Sequence, residues 1–338
     1  MSSNGTSPLK LPHHPRPRVR GTLPSTYDLA KLGFFLFGFP KNAYGSIDVS
    51  KDCNLRCRHC YFFEEEHDSE LSIEQWIAKL EEIHATRSRR EFPFFCCTWV
   101  GGEPLIRKEL IERGRKYFMH NVVVTNGTIP LPDWPDVNWY LSIDGDEQLH
   151  EWTRNKKGIY RKAMRNVQEH PKLGVTIAYC ITRQNAHCIE QVVKDWNEAG
   201  AAHITFDFYT PIETIEDDLW LPFPERDRVI DMLVQLRRVY GDFFVVPERV
   251  FRLMRSENCK TVTDNCLFTK AAFNFGPDGQ SKGKCMMGEK ADCDRCGCVV
   301  PFYMWSVTDR RQVIEDVGSE LRRAARKAAA GVLTAVLG

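Results

Sequence analysis

The chain has 338 residues, of which 43% are hydrophobic and 27% charged, the usual proportions of a globular protein. Its 46 Lys and Arg residues balance 45 Asp and Glu residues, so a net charge of +1 argues against nucleic acid as a partner. No apolar run reaches the ~18 residues of a membrane-spanning helix, and the N-terminus lacks the apolar core of an export signal. We therefore expect a cytoplasmic protein.

The N-terminal region precedes the folded core in this interpretation. Residues 1–24 are rich in Pro, Ser and basic residues without periodicity, which predicts disorder. Residues 25–44 are predicted to hold a pre-barrel helix, because apolar residues between Leu29 and Leu36 fall on or near one helix face. We expect this helix to pack on the core; contact with a membrane surface is the alternative.

Residues 45–222 alternate strand-like and helical stretches, which predicts an α/β fold with a parallel sheet. Six strands fit a partial (β/α)6 TIM-like barrel better than a complete barrel of eight. Functional residues should then lie at the carboxyl ends of the strands. The predicted strands are 46–49, 94–100, 121–125, 139–143, 175–182 and 203–209, and the predicted helices are 72–84, 108–118, 159–169 and 186–199.

Three further segments follow the predicted barrel. Residues 223–258 have the pattern of a helical connection, and residues 259–305 form a small cysteine-rich C-terminal extension with little periodicity. We expect metal ligation rather than core burial to hold this extension. Residues 306–338 are rich in Ala and Arg and are predicted to form a C-terminal helix on the barrel.

Cysteines are the unusual feature of the composition. The chain has 13, too few for a disulfide scaffold, and clustered cysteines in a protein without an export signal favour metal binding. Cys53, Cys57 and Cys60 follow the first predicted strand. Three thiolates in one tight loop suit three corners of an iron–sulfur cluster and leave its fourth iron open. A zinc knuckle is the alternative, although its nearest further ligand, His59, lies between closely spaced cysteines.

This loop, together with Tyr61 after it, resembles the signature of the radical S-adenosylmethionine (radical SAM) superfamily. The resemblance implies a catalytic 4Fe–4S cluster bound by Cys53, Cys57 and Cys60. It also implies that S-adenosylmethionine chelates the open iron and is cleaved by one electron to methionine and a 5′-deoxyadenosyl radical. Tyr61 is then expected beside this cofactor.

A second motif, Gly101-Gly102-Glu103-Pro104, follows the second strand. The resemblance implies that it contacts the amino group of S-adenosylmethionine. Glycines allow close approach of the backbone, and a carboxylate can accept a hydrogen bond from an ammonium. The alternative is a turn that caps a helix at Pro104.

The ends of the third and fourth strands complete the resemblance. Asn126 lies in a Thr-Asn-Gly turn and is expected near the cofactor, Ser142 near its ribose and Arg154 near its carboxylate, for which a guanidinium is suited. The alternatives are a strand-end turn for Ser142 and Asp144, and a surface ion pair for Arg154. Asn185, after the fifth strand, is either a cofactor contact or a helix cap.

The second cluster consists of Cys266, Cys285, Cys293, Cys296 and Cys298. Four thiolates can fill a tetrahedral zinc site or hold an auxiliary iron–sulfur cluster, and spacing alone does not separate the two. The segment resembles the SPASM and shorter Twitch extensions of radical SAM enzymes. That resemblance implies one auxiliary 4Fe–4S cluster on the first four cysteines, with Cys298 able to replace one of them. Cysteines without a metal-ligand role, or with a role in substrate binding, are the remaining alternative.

The remaining cysteines are expected to be small buried hydrophobes. These are Cys96, Cys97, Cys180 and Cys188. Cys180 lies near the end of the fifth strand, where a role as hydrogen-atom donor is the alternative.

The sequence therefore predicts a radical SAM enzyme that modifies an unidentified small metabolite, lipid or peptide. A reducing electron donor such as flavodoxin or ferredoxin is the expected partner. The sequence has no recognisable peptide-binding domain, which disfavours a peptide. A weaker resemblance to hopanoid-biosynthesis radical SAM enzymes suggests adenosyl transfer to a polyprenoid alkene. An iron–sulfur scaffold and a zinc-stabilised binding module are the alternatives without catalysis.

Overall fold

The computed structural model describes residues 42–64, 67–85, 95–212 and 217–308. The predicted disordered N-terminus, the pre-barrel helix up to residue 41 and the C-terminal helix from residue 309 lie outside these residues. Within the described ranges, no helix is long and apolar enough to cross a membrane.

The core of the fold is a parallel sheet of seven strands in the order β6-β5-β4-β3-β2-β1-β7. Six of them form one consecutive series, each strand beside the one before it in the chain. The strands are β1 Tyr44–Asp48, β2 Cys96–Val100, β3 His120–Thr125, β4 Val137–Ile143, β5 Thr176–Ile181, β6 His203–Phe208 and β7 Phe273–Phe275.

Helices connect the strands and cover the outer face of the sheet. They are α1 Ile73–Ala85, α2 Lys108–Gly114, α3 Glu147–Thr153, α4 Ile159–Glu169, α5 Ile189–Glu198, α6 Phe223–Tyr240, α7 Glu248–Leu253, α8 Ser256–Asp264, α9 Leu267–Ala271 and α10 Val299–Ser306. Short 3-10 turns occupy Phe62–Glu64, Pro104–Arg107, Arg115–Tyr117, Ala186–Cys188, Asp217–Leu219, Gly241–Phe243 and Cys293–Arg295. The proline-rich connection between β3 and β4 contains no helix, as its three prolines predict.

The sheet has one strand more than the sequence predicted. β7 has only three residues and comes from the cysteine-rich extension, where no periodicity indicated a strand. It pairs with β1, with Gly45 opposite Phe273. A Cβ atom at Gly45 would lie 2.0 Å from the carbonyl oxygen of Phe273, so this close pairing requires glycine. The extension is thus joined to the sheet by backbone hydrogen bonds.

Alternation along the strands separates a packed outer face from an inner face that lines a cavity. In β4, Trp139 and Leu141 are fully buried, whereas Tyr140 and Ser142 line the cavity. Side chains on the outer face pack against the helices, and four tryptophans are completely buried in the structure: Trp76, Trp99, Trp139 and Trp196. Burial of such large apolar surfaces fixes the strand register and therefore the side chains that face inward.

Candidate active site

The inner face of the sheet and the loops at its carboxyl edge enclose a cavity of about 870 Å³. The predicted cofactor side chains and the thiols of the first cysteine cluster meet there. The lining includes Cys53, Cys57, Cys60, Tyr61, Gly101, Gly102, Glu103, Asn126, Ser142 and Arg154. The structure thus brings these ten residues to one site.

The first cysteine loop is fixed to the segment that ends α3. The backbone N–H of Arg58 donates to the carbonyl of Thr153 at 2.8 Å. The Arg58 guanidinium also lies 4.6 Å from the ring centroid of Trp152 and donates to the carbonyl of that residue. The sequence did not predict α3, whose first turn Asp146 caps by accepting from Leu149 N at 2.9 Å.

The three thiols of this loop are free, and burial dominates their titration. Burial raises the pKa of Cys57 to about 12, and the positive charge of Arg154 opposes part of that effect. Burial also raises the pKa of Cys53 and of Cys60. Metal coordination is the ordinary way to hold such thiols as thiolates.

Three free thiols that face one cavity from one loop suit an iron–sulfur cluster with an open iron. Among the described residues, no group of three or more His, Cys, Asp or Glu side chains is arranged around a single metal ion. A cubane cluster spaces its thiolate ligands more widely than a single ion does.

The Gly101-Gly102 turn packs directly against the start of the cysteine loop. The N–H of Gly102 donates to Ser50 O at 2.9 Å, and that of Glu103 donates to Asp52 O at 2.8 Å. A Cβ atom at Gly102 would lie 2.0 Å from the carbonyl oxygen of Asp52. Gly101 has φ of +107°, which disfavours other residues. The two glycines therefore let the strand-end turn form one wall of the cavity beside Cys53.

Glu103 is buried and accepts hydrogen bonds from the protein on both carboxylate oxygens. Oε1 accepts from Thr125 Oγ1 at 2.7 Å and from Leu105 N at 3.1 Å, and Oε2 accepts from Asn126 N at 2.9 Å. Burial raises the pKa of Glu103, and these hydrogen bonds oppose the rise. Glu103 also caps the short helix at Pro104, so the alternative suggested by the sequence describes part of its role.

Asn126 joins the third strand to the cysteine loop. Its Nδ2 atom donates to Asn54 Oδ1 at 2.8 Å and lies 3.9 Å from Cys53 Sγ. Its Oδ1 atom accepts from the N–H of Thr128 at 3.0 Å. Asn126 therefore orients the turn and supports the position of the first cysteine.

Arg154 forms a buried ion pair, so the alternative of a surface ion pair is wrong. Its Nε atom donates to Asp144 Oδ2 at 2.6 Å, and Arg154 is 7% exposed. His59 Nε2 lies 3.4 Å from the other oxygen of Asp144. Burial raises the pKa of Asp144, but the charges of Arg154 and His59 outweigh it and hold that pKa well below its usual range. Arg154 also lines the cavity.

Asn185 and Tyr61 are placed differently. Asn185 is buried and supports the strand ends, since its Oδ1 atom accepts from Thr182 N at 2.7 Å and its Nδ2 atom donates to Asp144 O at 2.9 Å. It does not belong to the residues that line the cavity.

Tyr61 lines the cavity, and the Nζ atom of Lys282, from the cysteine-rich extension, lies 5.3 Å from the Tyr61 ring centroid. Lys282 also pairs with the buried carboxylate of Asp48 at 2.8 Å.

The thiols of the second cluster lie near one another in the extension. Burial raises the pKa of Cys285, and the neighbouring thiols of Cys293 and Cys266 raise it further. Burial raises the pKa of Cys296 to about 12, with smaller contributions from Cys285 and Cys266. The fifth thiol, Cys298, differs because it lines the main cavity, which the other four do not.

The sequence analysis did not single out Asp207 in β6, an acidic residue of the cavity lining. The signal was present, because Thr205 and Asp207 are polar residues at a spacing of two in a strand whose other positions are mostly apolar. Both line the cavity. The strand was predicted, but its inward-facing polar residues were not considered.

Comparison with known proteins assigns the fold and the domain. Residues 47–196 match the model of the Radical SAM superfamily. The chain is 28% identical over 173 residues to the sporulation killing factor maturation protein SkfB of Bacillus subtilis, which is 46% of this chain and 40% of that protein. It is 27% identical over 195 residues to the Fe-coproporphyrin III synthase of Methanosarcina barkeri, covering 53% of this chain and 47% of that protein. The aligned segments span less than half of either relative.

The solved structure of native anSMEcpe with bound AdoMet and Cp18Cys peptide superposes with a TM-score of 0.57 at 16% identity. The match covers 78% of this chain and 81% of that chain, which establishes a shared fold. These relatives do not support the weaker resemblance to hopanoid-biosynthesis enzymes. The fold, the matched residues and the cysteine loop at the carboxyl edge of the sheet agree, and residues 47–196 are a domain of the radical SAM superfamily of enzymes.

Proposed function

We propose that this protein reductively cleaves S-adenosylmethionine and uses the resulting radical to modify a substrate held in the same cavity. The observation that carries this proposal is the meeting of three free thiols, the Gly101-Gly102 turn and Arg154 around one cavity of about 870 Å³. When bound, a reduced 4Fe–4S cluster would supply one electron to the sulfonium of S-adenosylmethionine, which would give methionine and a 5′-deoxyadenosyl radical.

The residues of the first loop have distinct roles in this proposal. Cys53, Cys57 and Cys60 hold the cluster. Arg58 and Asn126 keep the loop in place, through the contacts with Thr153 and with Cys53 described above. Because these supports come from α3 and from the turn after β3, the loop geometry depends on the assembled domain.

The cofactor is proposed to lie along the carboxyl edge of β2 to β4. The terminal nitrogens of Arg154 suit the methionine carboxylate, since a guanidinium can bind it through two parallel hydrogen bonds. The glycine turn before Glu103 lets the methionine amino group approach backbone and carboxylate oxygens. Tyr61 and Ser142 line the remaining path and are proposed to contact the adenosine part.

We further propose one auxiliary 4Fe–4S cluster on Cys266, Cys285, Cys293 and Cys296. Cys298 lines the main cavity and the other four cysteines do not, which supports this set over one that contains Cys298. Cys298 instead faces the cavity near Asp207. Four thiolates on one module leave no open position, which suits a role in electron transfer or structure.

The substrate remains unidentified within this proposal. The names of two relatives refer to different molecules, a killing factor and a coproporphyrin, so they do not single out one substrate class for this protein. The reaction consumes one low-potential electron, and we propose a flavodoxin or ferredoxin as its donor. All thirteen cysteines are free, which suits a reducing compartment such as the cytoplasm.

The test is anaerobic reconstitution with iron and sulfide, followed by reduction in the presence of S-adenosylmethionine. We expect the wild-type protein to release 5′-deoxyadenosine, measured by mass spectrometry, and Cys57→Ala to release none and to lose the catalytic cluster. Cys96→Ala is the matched control, because it removes another cavity-lining thiol outside the loop. Absence of 5′-deoxyadenosine from a fully loaded, reduced wild-type sample would leave an iron–sulfur scaffold as the better description. Zinc in place of iron at the first loop would overturn the proposal entirely.

A further inference from the structure

Asp207 lies at the carboxyl edge of the sheet, at the same level as the Asp144–Arg154 pair. It is opposite Cys180 of β5 in the strand register. Ile143 of β4 is opposite Tyr179, so the next residues along these strands, Asp144 and Cys180, reach the same level. Cys180 therefore lies between the two carboxylates, and both raise its pKa in addition to the larger effect of burial. Two strand spacings separate Asp207 from Asp144, or about 10 Å along the sheet.

Asp207 differs from the other acidic residues of the cavity lining in its partners. Glu103 accepts three hydrogen bonds, Asp144 pairs with Arg154, and Asp136 pairs with Arg115. Asp207 accepts a backbone hydrogen bond from Val299 N at 2.6 Å. Among the described residues, no cationic side chain forms an ion pair with Asp207.

The groups around Asp207 are neutral hydroxyls and thiols within a largely apolar wall. Tyr140, Cys180, Cys298 and Tyr303 line the cavity with it. Burial raises the pKa of Asp207 to about 6, and the Val299 N–H opposes the rise. At neutral pH the carboxylate is therefore mostly ionised in a site without a compensating charge.

We infer that Asp207 recognises a cationic nitrogen at the end of an aliphatic chain of the substrate. This inference rests on the proposed function, because it says which chemical group of the substrate binds in the same cavity. A bound ammonium would provide the charge that Asp207 lacks, and the apolar wall would contact the chain. The spacing of about 10 Å between Asp207 and Asp144, the partner of Arg154, places the carbons of such a chain between Asp207 and the proposed cofactor site, where hydrogen abstraction has to occur. A lysine side chain or a free alkylamine has this chemistry.

The test measures binding, independently of turnover. Reconstituted full-length protein saturated with S-adenosylmethionine is titrated by calorimetry with n-pentylammonium chloride and with the neutral n-pentanol. We expect the ammonium to bind about tenfold more tightly or better, because a charge-assisted hydrogen bond to a buried carboxylate discriminates by this order. Equal binding of the two probes by the wild-type protein would overturn the inference without any variant.

Two variants test whether Asp207 is the residue that recognises the ammonium group. Asp207→Asn keeps an oxygen that can accept from Val299 N but removes the charge, and we expect the preference for the ammonium to fall to about twofold or less. Asp136→Asn is the matched control, because it neutralises another cavity carboxylate that already pairs with Arg115, and it should retain the preference. A preference that survives in Asp207→Asn would overturn the assignment.

Perdeuterated n-pentylammonium then links binding to chemistry. We expect one deuterium atom to pass from a C–D bond of the probe to the 5′-deoxyadenosyl radical, and the carbon radical left on the probe to take a second electron from dithionite and a proton from water. Asp207→Asn should reduce the deuterium content of 5′-deoxyadenosine about tenfold. If 5′-deoxyadenosine forms without deuterium from this probe, while the neutral perdeuterated n-pentanol transfers it, the inference fails and the proposed function stands. If the ammonium binds selectively but no sample forms 5′-deoxyadenosine, the proposed function fails and the recognition by Asp207 stands.

To separate a peptide-borne amine from a free one, N-acetyl-lysine amide is titrated in parallel. Tighter binding of this probe than of n-pentylammonium indicates a peptide substrate.

Discussion

At the scale of single residues, the buried pair of Arg154 and Asp144 combines a structural and a cofactor role. We predict that Arg154→Gln destabilises the protein by roughly 3–5 kcal/mol, because it leaves the carboxylate of Asp144 buried without its partner. The same change should weaken S-adenosylmethionine binding about tenfold or more, because the proposed bidentate contact is lost. Urea unfolding and calorimetric titration of the reconstituted protein measure the two effects.

The double variant Arg154→Gln/Asp144→Asn separates these roles. It removes both charges, so most of the stability should return while cofactor affinity stays low. Iron content should remain at the wild-type level in both variants. Recovery of cofactor affinity in the double variant would show that Arg154 acts only by pairing with Asp144.

His150 provides a pH-dependent test of the same region. Burial lowers its pKa from the ordinary 6.5 to about 3, with the Arg154 charge acting in the same direction; Asp144 opposes this change and His59 reinforces it. Its Nδ1 atom accepts from Asp144 N at 3.2 Å, which also requires an unprotonated nitrogen. The unfolded chain takes up a proton below about pH 6.5 while the folded protein does not, so stability is present above this pH and is lost as pH falls toward 3.

We therefore predict that acidification from pH 7.5 to pH 5 costs the wild-type protein more stability than it costs His150→Asn. The expected difference is on the order of 1–2 kcal/mol, measured by urea unfolding at each pH. Asparagine retains an oxygen that can accept from Asp144 N but does not titrate. Parallel pH profiles for the two proteins would show that His150 titrates normally in the folded state.

The sequence predicted which residues line the cavity better than it predicted the hydrogen bonds and ion pairs among them. The resemblance to the radical SAM superfamily named ten residues that line the cavity, and they come together because the carboxyl ends of parallel strands meet at one edge. The burial of Arg154 and the exclusion of Asn185 from the lining could not be predicted. Both depend on tertiary contacts: Arg154 follows α3 and pairs with Asp144, and Asn185 forms hydrogen bonds with Thr182 N and Asp144 O.

At the scale of elements, the cysteine-rich extension is joined to the first strand twice. β7 extends the sheet beside β1, and Lys282 reaches the buried Asp48 at the end of β1. Lys282 also donates to Met286 O, within the extension, at 2.6 Å. One side chain therefore joins the extension to the end of β1, just before the first cysteine loop. The sequence placed the extension after the barrel but gave no sign of this contact, since a three-residue strand is too short for a periodic pattern.

We predict that Lys282→Met destabilises the protein by about 3 kcal/mol or more, because it removes a buried cation that pairs with the buried carboxylate of Asp48. Lys290→Met is the control: its Nζ atom donates to the carbonyl of Glu64 at 2.7 Å, so no buried charge loses its partner. Urea unfolding of both variants measures the contrast, and we expect a change below about 1 kcal/mol for the control. Similar losses in the two variants would show that Lys282 contributes no more than an ordinary hydrogen bond.

At the scale of the whole molecule, one continuous sheet carries a radical SAM domain and the edge of a second cysteine-bearing module. The cavity passes from the thiols of the first loop to α10 of the extension, where Cys298, Val299 and Tyr303 line it. Residues of the module therefore form part of the proposed substrate wall. A change that unfolds the module should alter the cavity, whereas a change confined to its cluster ligands need not.

This distinction leads to a prediction about metal content. We expect about eight irons per wild-type chain and about four in Cys293→Ala, because loss of one of four ligands removes the auxiliary 4Fe–4S cluster. Cys57→Ala should also fall to about four irons, but by loss of the catalytic cluster. Iron, sulfide and zinc analysis of anaerobically reconstituted protein measures these values.

Activity distinguishes the two four-iron variants. Cys293→Ala retains the first loop and should still release 5′-deoxyadenosine when dithionite supplies the electron, whereas Cys57→Ala should release none. Cys188→Ala is the control for thiol removal, since Cys188 is buried outside the cavity and should retain about eight irons. Four irons in the wild-type protein, unchanged in Cys293→Ala, would remove the auxiliary cluster from the proposal. One zinc per chain that disappears in Cys293→Ala would assign the second cysteine group to zinc, because four thiolates around a single ion form a closed structural site.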